Sequence, residues 1–164
     1  MRNTTCCFTG HRKLPKNKIS VIRESVYKNI LFAYNRGYRD FVCGGALGFD
    51  TLCAIEVLRL RREYPDVKLI LVYPCLGQDV KWKDSDKEIY KRIFDECDEC
   101  YCMRKEYTSS CMHERNRAMV DESSLVIAYL ENSRSGTAYT YNYAKEQGVQ
   151  AINIADEIGV GEHG

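Results

Sequence analysis

The stretch "DFVCGGALGFDT", residues 40–51, contains a short apolar strand pattern, two adjacent glycines and the start of a helix. Gly44 and Gly45 directly follow the strand pattern, and Gly48 opens a segment whose apolar residues recur every three residues until Pro65. That spacing is typical of a helix, and a proline disfavours helical backbone in the residue before it. The stretch therefore predicts a strand, a glycine-rich turn and a helix, which is the repeating unit of an α/β protein.

The alternation of strand and helix continues along the whole chain. Strand-like runs lie at 4–9, 40–44, 68–73, 99–103, 125–129 and 150–154. Helical patterns lie at about 15–36, 48–64, 85–97, 111–122 and 137–147. Parallel neighbouring strands need a crossover connection, and a helix of this length supplies one. We predict an α/β, Rossmann-like fold with a mainly parallel sheet and helices on both faces.

The length indicates a single domain. A chain of 164 residues can bury one proper hydrophobic core and is too short for two ordinary domains. The domain is predicted to cover 1–155, and residues 156–164 are predicted to form a flexible C-terminal tail.

Composition restricts the classes of partner. The 24 Lys and Arg residues balance 23 Asp and Glu residues, giving a net charge of +1. This balance argues against a general attraction to nucleic acid or to an anionic membrane, so anion binding is expected to be local. The apolar runs are far shorter than the roughly 20 residues that span a bilayer, and no signal-peptide pattern precedes Gly10. We therefore expect a cytoplasmic protein without a membrane segment.

The nine cysteines are expected to be reduced thiols, several of them in apolar runs where cysteine acts as a small hydrophobe. A zinc site is the alternative at Cys97, Cys100 and Cys102 with Cys111 nearby, because thiolates at CxxC spacing bind zinc. Against it, "ECYCM" is typical of an alternating buried strand, and a single CxxC pair is a weak signal. We predict no metal and no cofactor.

In a parallel sheet, ligands bind beyond the carboxyl ends of the strands, where helix N-termini present free N–H groups. "TGHR" follows the first strand there. Gly10 permits a close backbone approach, and His11 and Arg12 would add charged donors beside the Thr9 hydroxyl. This combination suits a phosphate; the alternative is a surface turn with solvated basic residues.

The glycine-rich turn after the second strand is the more informative segment. Gly44, Gly45 and Gly48 stand where a nucleotide-binding loop requires them, although the pattern is not the GxGxxG fingerprint. Asp50 is unusual beside a phosphate, because like charges repel. A contact with ribose or base, or an ion pair with Arg12, would explain it; a first-turn acid favoured by the helix dipole is the alternative.

Two further segments complete the predicted rim. Ser135, Gly136 and Thr137 begin the last predicted helix and offer backbone and hydroxyl donors, as either a second phosphate-binding turn or an ordinary helix cap. In "CMHERNRAMV", Arg115 falls on one helical stripe with two methionines. An arginine on an apolar stripe needs a partner, either a protein carboxylate or a bound phosphate.

Taken together, these segments resemble the SLOG superfamily, the Rossmann-like group that includes the DNA-processing protein Smf/DprA and the "lonely guy" phosphoribohydrolases. The closest pattern is an uncharacterised branch with TGHR and GGALGFD motifs, and the similarity covers about residues 4–154. Arg115 matches the arginine implicated in N-glycosidic cleavage by lonely-guy enzymes, and Gly136 and Thr137 match the GT pair of their PGGxGTxxE motif. Thr140 stands where that motif has its glutamate, so Asp50 or Glu114 would have to replace the missing carboxylate.

The resemblance implies a SLOG-like domain that binds a nucleotide or a nucleotide-derived small molecule as a sensor or binding protein. One alternative is an N-glycosidase or phosphoribohydrolase that uses Arg115 with Asp50. A weaker alternative, by analogy with DprA, is binding of single-stranded DNA, which the net charge disfavours. Homo-oligomerisation is a further expectation from the resemblance. Ligand binding is predicted at Thr9, Gly10, His11, Arg12, Gly44, Gly45, Gly48, Asp50, Arg115, Ser135, Gly136 and Thr137.

Overall fold

Strands and helices alternate in the computed structural model, which describes residues 2–163 and the side chains of residues 2–158. The strands are β1 (Thr5–Gly10), β2 (Asp40–Cys43), β3 (Lys68–Cys75), β4 (Glu99–Arg104), β5 (Leu125–Tyr129) and β6 (Gln150–Asn153). The α-helices are α1 (Ile19–Asn35), α2 (Phe49–Glu63), α3 (Asp84–Glu96), α4 (Cys111–Asp121), α5 (Gly136–Glu146) and α6 (Ile154–His163). Short 3₁₀ turns cover Arg2–Thr4 and Lys16–Lys18.

The six strands form one parallel sheet in the order β4-β3-β2-β1-β5-β6. The chain moves outward from β1 to β4, then returns through α4 to begin again at β5. The order therefore reverses between β1 and β5, and such a switch point leaves a crevice at the carboxyl ends of the strands. The predicted α/β, Rossmann-like fold with a parallel sheet is confirmed.

Helices cover both faces of the sheet because the central strands are apolar on both sides. In β1, Cys6 and Phe8 enter the larger core, beneath α1, α2 and α6, whereas Cys7 enters the smaller core beneath α4 and α5. Neighbouring residues of a strand point to opposite faces, which explains this division. The sheet is thus held between two layers, and its carboxyl edge is a fixed platform for the loops.

Residues 154–163 form α6, which the sequence did not predict. The flexibility of residues 156–164 stays a prediction. Ile154 and Ile158 are both buried in the larger core. Residues four apart lie on the same face of a helix, so this pair attaches α6 to the sheet. Glu157 adds hydrogen bonds from the Ser25 hydroxyl at 3.1 Å and the Asn29 amide at 3.2 Å. Gly164, the last residue of the predicted tail, lies outside the described residues.

The predicted buried character of "ECYCM" is wrong. The segment does form a strand, β4, but that strand is at the edge of the sheet, and Cys100, Tyr101 and Cys102 are exposed. An edge strand has a neighbour on one side only, so alternation in the sequence does not guarantee burial.

Among the described residues, no helix is long and apolar enough to cross a membrane.

Candidate functional site

A cavity of about 250 Å³ opens at the carboxyl end of β1, at the switch point of the sheet. Nine of the twelve predicted site residues line it, and they come from four separate segments. They are Thr9, Gly10, His11, Arg12, Asp50, Arg115, Ser135, Gly136 and Thr137. The remaining lining residues are Ala46, Met112, His113 and Asn116.

The three other predicted residues, Gly44, Gly45 and Gly48, shape the cavity without lining it. Gly48 has a φ of +77°, and a side chain there would overlap the backbone carbonyls of His11 and Arg12. The Phe49 N–H donates to the His11 carbonyl at 3.1 Å, which fixes the start of α2 against the loop after β1. The glycines therefore allow two backbone segments to approach each other closely.

His11 connects the two loops on either side of the switch point. The backbone N–H groups of Glu131 and Asn132 donate to its Nε2 at 2.9 and 3.3 Å. A ring nitrogen that accepts hydrogen bonds carries no proton, so the ring is neutral, with its proton on Nδ1. Burial lowers the pKa of His11 from 6.5, and the nearby Glu131 carboxylate opposes that shift. His11 is therefore a structural acceptor and not the charged donor that the sequence predicted.

Arg115 is the buried cation of the site, with only 3% of its surface exposed. Its Nη1 donates to the Gly44 carbonyl and its Nε donates to Asn116 Oδ1 at 2.6 Å. A side chain on Gly44 would overlap this guanidinium. Burial lowers the pKa of Arg115, and the nearby Asp50 carboxylate opposes the shift. Within the described residues, the hydrogen bonds of Arg115 use Nε and Nη1, and Nη2 has no partner.

Asp50 lies in the first turn of α2 and is 5% exposed. Its Oδ2 accepts a hydrogen bond from the Ala46 N–H at 3.3 Å. Burial raises the pKa of Asp50 to about 6, although Arg115, the Ala46 N–H and Arg12 all favour the ionised form. The strongest charge partner is thus Arg115 and not Arg12, the partner that the sequence suggested.

Positive charge exceeds negative charge around the cavity. Arg12 and Arg115 are close enough for Arg12 to help lower the pKa of Arg115. Arg12 is exposed and has no hydrogen-bond or ion-pair partner among the residues that the structure describes. Among the described residues that line the cavity, two arginines stand against one carboxylate, Asp50, whose pKa burial raises to about 6, so the balance of charge favours an anion.

The first turn of α5 also faces the cavity. Ser135 is the helix N-cap: its Oγ accepts from the Ala138 N–H at 3.1 Å and donates to the Asn132 carbonyl at 2.7 Å. Its hydroxyl is thus committed to the chain, as the helix-cap alternative predicted. The N–H groups of the next two residues, Gly136 and Thr137, belong to the unpaired first turn and carry the positive end of the helix dipole.

Sequence reasoning missed four lining residues. Asn116 holds the Arg115 guanidinium, and Met112 stands three residues before Arg115 on the same face of α4. The spacing of three residues would have been enough to find Met112, whereas Asn116, directly after Arg115, has no such signal. His113 packs against Tyr139 with ring centroids 4.5 Å apart, and its buried Nδ1 has no partner among the described residues. Ala46 belongs to the glycine-rich turn, and nothing in its residue type marks it.

Neither Thr140, at the position of the missing glutamate, nor Glu114, one of its two possible replacements, supplies a carboxylate to the cavity. Thr140 is buried, and its hydroxyl donates to the Gly136 carbonyl at 3.1 Å within α5. Glu114 pairs with Arg104 at 2.7 Å and accepts from Ser110 at 2.9 Å, outside the lining. Asp50 is left as the one acid in the cavity wall.

In the part of the chain that the structure describes, no group of three or more His, Cys, Asp or Glu side chains could hold a metal ion. The thiols of Cys97, Cys100, Cys102 and Cys111 are free, and Cys111 is buried at the start of α4.

The reversed strand order, the glycine-rich turn and the cationic cavity define a Rossmann-like domain with a cavity at its switch point. A family model described as the YspA SLOG family matches residues 6–156, so the chain belongs to this family. An uncharacterized SPbeta prophage-derived protein of Bacillus subtilis, YoqJ, is 32% identical over 146 residues, covering 82% of this chain and 81% of YoqJ. A UPF0398 protein of Bacillus cereus is 25% identical, covering 79% of this chain and 72% of that protein.

Two solved structures share the fold. The DNA processing protein A (DprA) of Streptococcus pneumoniae superposes with a TM-score of 0.65 and 19% identity, covering 91% of this chain and 49% of that chain. The Helicobacter pylori DprA, described for its single-stranded DNA binding mode, gives a TM-score of 0.65 and 17% identity, covering 92% and 64%. Our chain thus spans about half of the pneumococcal protein and under two thirds of the other.

Proposed function

We propose that this protein binds a nucleotide or a nucleotide-derived small molecule and places its phosphate in the cavity at the switch point. The observation that supports this most is the convergence of Arg12, Arg115 and the start of α5 on one cavity that holds a single, weakly acidic carboxylate. Two guanidinium groups and unpaired helix N–H groups are what a phosphate requires. We also propose that the protein is cytoplasmic, because nucleotides are abundant in the cytoplasm.

The size of the cavity indicates that it holds only a small anionic part of the ligand and not a complete nucleotide. Small-molecule pockets usually measure roughly 300–1,000 Å³. At about 250 Å³, this cavity suits a phosphate with part of a sugar, while the rest of the ligand would lie along the open rim. In this arrangement Asp50, beside Arg115, would face the sugar hydroxyls.

Replacing Arg12 with alanine is expected to weaken the binding of adenosine monophosphate about ten- to hundred-fold, because a hydrogen bond to a charged group contributes roughly 1.5–3 kcal/mol. Isothermal titration calorimetry measures the change. Arg62→Ala is the matched control, since it removes an exposed arginine from the last turn of α2, away from the cavity. Absence of binding by the unmodified protein to AMP, GMP, CMP and UMP would overturn the proposal.

A second candidate function is hydrolysis of an N-glycosidic bond, and the environment of Asp50 favours it. A carboxylate with a pKa of about 6 can accept a proton from water near neutral pH, as a general base must. Arg115 beside it would hold the phosphate. Concentrated protein incubated with nucleoside monophosphates should then release free base, and no release would end this candidate. The likeness to DprA extends to the fold alone, and we do not propose DNA binding for a chain of net charge +1.

A further inference from the structure

A second cavity, of about 550 Å³, adjoins the anion site and shares Arg12 with it. Its wall comes from the loop after β3 and from the loop between β4 and α4. It includes Leu76, Val80, Lys81, Trp82 and Tyr107. Both loops follow carboxyl ends of strands, so the two cavities lie along the same edge of the sheet.

The wall of this second cavity is unusually apolar for a surface. Tyr107 is 73% exposed, Val80 67% and Leu76 56%. Large apolar side chains gathered at one exposed place indicate a binding surface, whereas single ones need no explanation. Trp82, the one tryptophan of the chain, packs edge-on against Tyr90 with ring centroids 5.3 Å apart, which orients its ring.

The loop after β3 is held in a fixed position relative to the anion site. The Gln78 side chain donates to the Gly45 carbonyl at 3.2 Å, which connects this loop to the glycine-rich turn. The Val80 N–H donates to Gly77 and the Trp82 N–H donates to Asp79, so two successive turns shape the segment. Gly77, with a φ of +72°, permits the first of them. The aromatic wall and the anion cavity therefore belong to one preorganised surface.

We propose that the second cavity is a nucleobase subsite, in which the base of a nucleoside monophosphate stacks on Trp82 and Tyr107 while its phosphate binds Arg12 and Arg115. This inference rests on the proposed function and specifies its ligand, a nucleotide bound across both cavities. Arg12 carries the argument, because it lines both the anion-binding cavity and the aromatic one, and it has no hydrogen-bond or ion-pair partner among the described residues. Stacking tolerates every base, since each has a π-face, so the subsite selects for a base without fixing which one.

Titration of Trp82 fluorescence tests the proposal directly, because no other tryptophan contributes. AMP, GMP, CMP and UMP should each quench the emission to saturation. Ribose 5-phosphate, which lacks a base, should displace AMP and cause little quenching itself. By calorimetry, all four nucleotides should bind at least fivefold more tightly than ribose 5-phosphate, since stacking contributes about 1–3 kcal/mol per base.

Variants separate this inference from the proposed function. Trp82→Ala and Tyr107→Ala should each lower AMP affinity about five- to hundredfold and leave the affinity for ribose 5-phosphate unchanged. Phe32→Ala, which removes an exposed aromatic ring from α1, outside both cavities, should change neither affinity. If AMP and ribose 5-phosphate bind equally well, or if both wall variants retain full AMP affinity, the base subsite is refuted while the phosphate site stands. If no phosphate compound binds, both proposals fail.

Discussion

Replacing Asp50 with asparagine is expected to increase the free energy of unfolding at pH 8 by up to about 3 kcal/mol. Folding raises the pKa of this carboxyl from 3.8 to about 6, mainly through burial. The native state thus favours the protonated form, and ionisation of the carboxyl above that pKa costs stability. Asparagine resembles the protonated acid in shape and avoids that cost.

The stabilisation by Asp50→Asn is expected to increase with pH. Below about pH 4 the carboxyl is protonated in both the folded and the unfolded chain, so the variant should gain nothing. The gain should grow as the pH rises from 4 and be complete above about 6. Urea unfolding at pH 4 and pH 8 measures it, with Asp95→Asn, an exposed change on α3, as the control. A gain of equal size at both pH values would contradict the assignment to ionisation.

The same variant reports on function. Removing the negative charge leaves Arg12 and Arg115 unopposed, so inorganic phosphate should bind more tightly. Hydrolysis of nucleotides, if the protein catalyses it, should be lost, because asparagine cannot accept the proton. A residue that lowers stability while it lines a cavity is typical of a functional position.

Among glycine-to-alanine substitutions in the loops around the cavity, Gly48→Ala is expected to lower the free energy of unfolding most. The positive φ alone should cost about 1–2 kcal/mol. Overlap of the new methyl group with the carbonyls of His11 and Arg12 should add roughly 1–3 kcal/mol, because backbone on both sides would have to move.

Gly148→Ala is the matched control for that prediction. Gly148 has a φ of +74°, close to that of Gly48, but no atom lies within 4 Å of the position of a Cβ. Its substitution therefore measures the cost of a positive φ without the overlap, while the ψ of −121° at Gly48 adds to the backbone cost there. Chemical denaturation of both variants gives the difference. Equal losses would mean that the loop after β1 and the start of α2 can separate freely, contrary to the close contact described here.

The fold was predictable from the sequence because its signals are local. Each strand is a short apolar run, and α1 repeats Ile22, Val26 and Ile30 at helical spacing, all of them buried. Helix α6 was not predicted, although its buried residues Ile154 and Ile158 have the same spacing. A single pair of apolar residues next to a strand is too short a pattern to distinguish from irregular chain.

The site was predictable in its location and less so in its chemistry. Strand ends and glycine-rich turns are visible in sequence, and the rule that ligands bind at carboxyl ends brings them together. The hydrogen-bond partners of the site residues are not visible in the sequence. Arg115 donates to the Gly44 carbonyl, 71 residues away, and His11 accepts from the Glu131 amide, 120 residues away. Residue type indicates a cation or a donor, but only the assembled fold decides which backbone atom it meets.

The exposed position of β4 has a consequence for the behaviour of the molecule in concentrated solution. An edge strand leaves one row of backbone N–H and C=O groups unpaired. These groups can pair with a strand of another molecule, so an unprotected edge strand promotes aggregation. Glu99 and Arg104 at its two ends, followed by Lys105, are charges that a neighbour would have to bury. The homo-oligomer expected from the family resemblance stays a prediction. Charges at the ends of an edge strand disfavour pairing with a strand of another molecule, so we expect β4 to resist edge-to-edge aggregation.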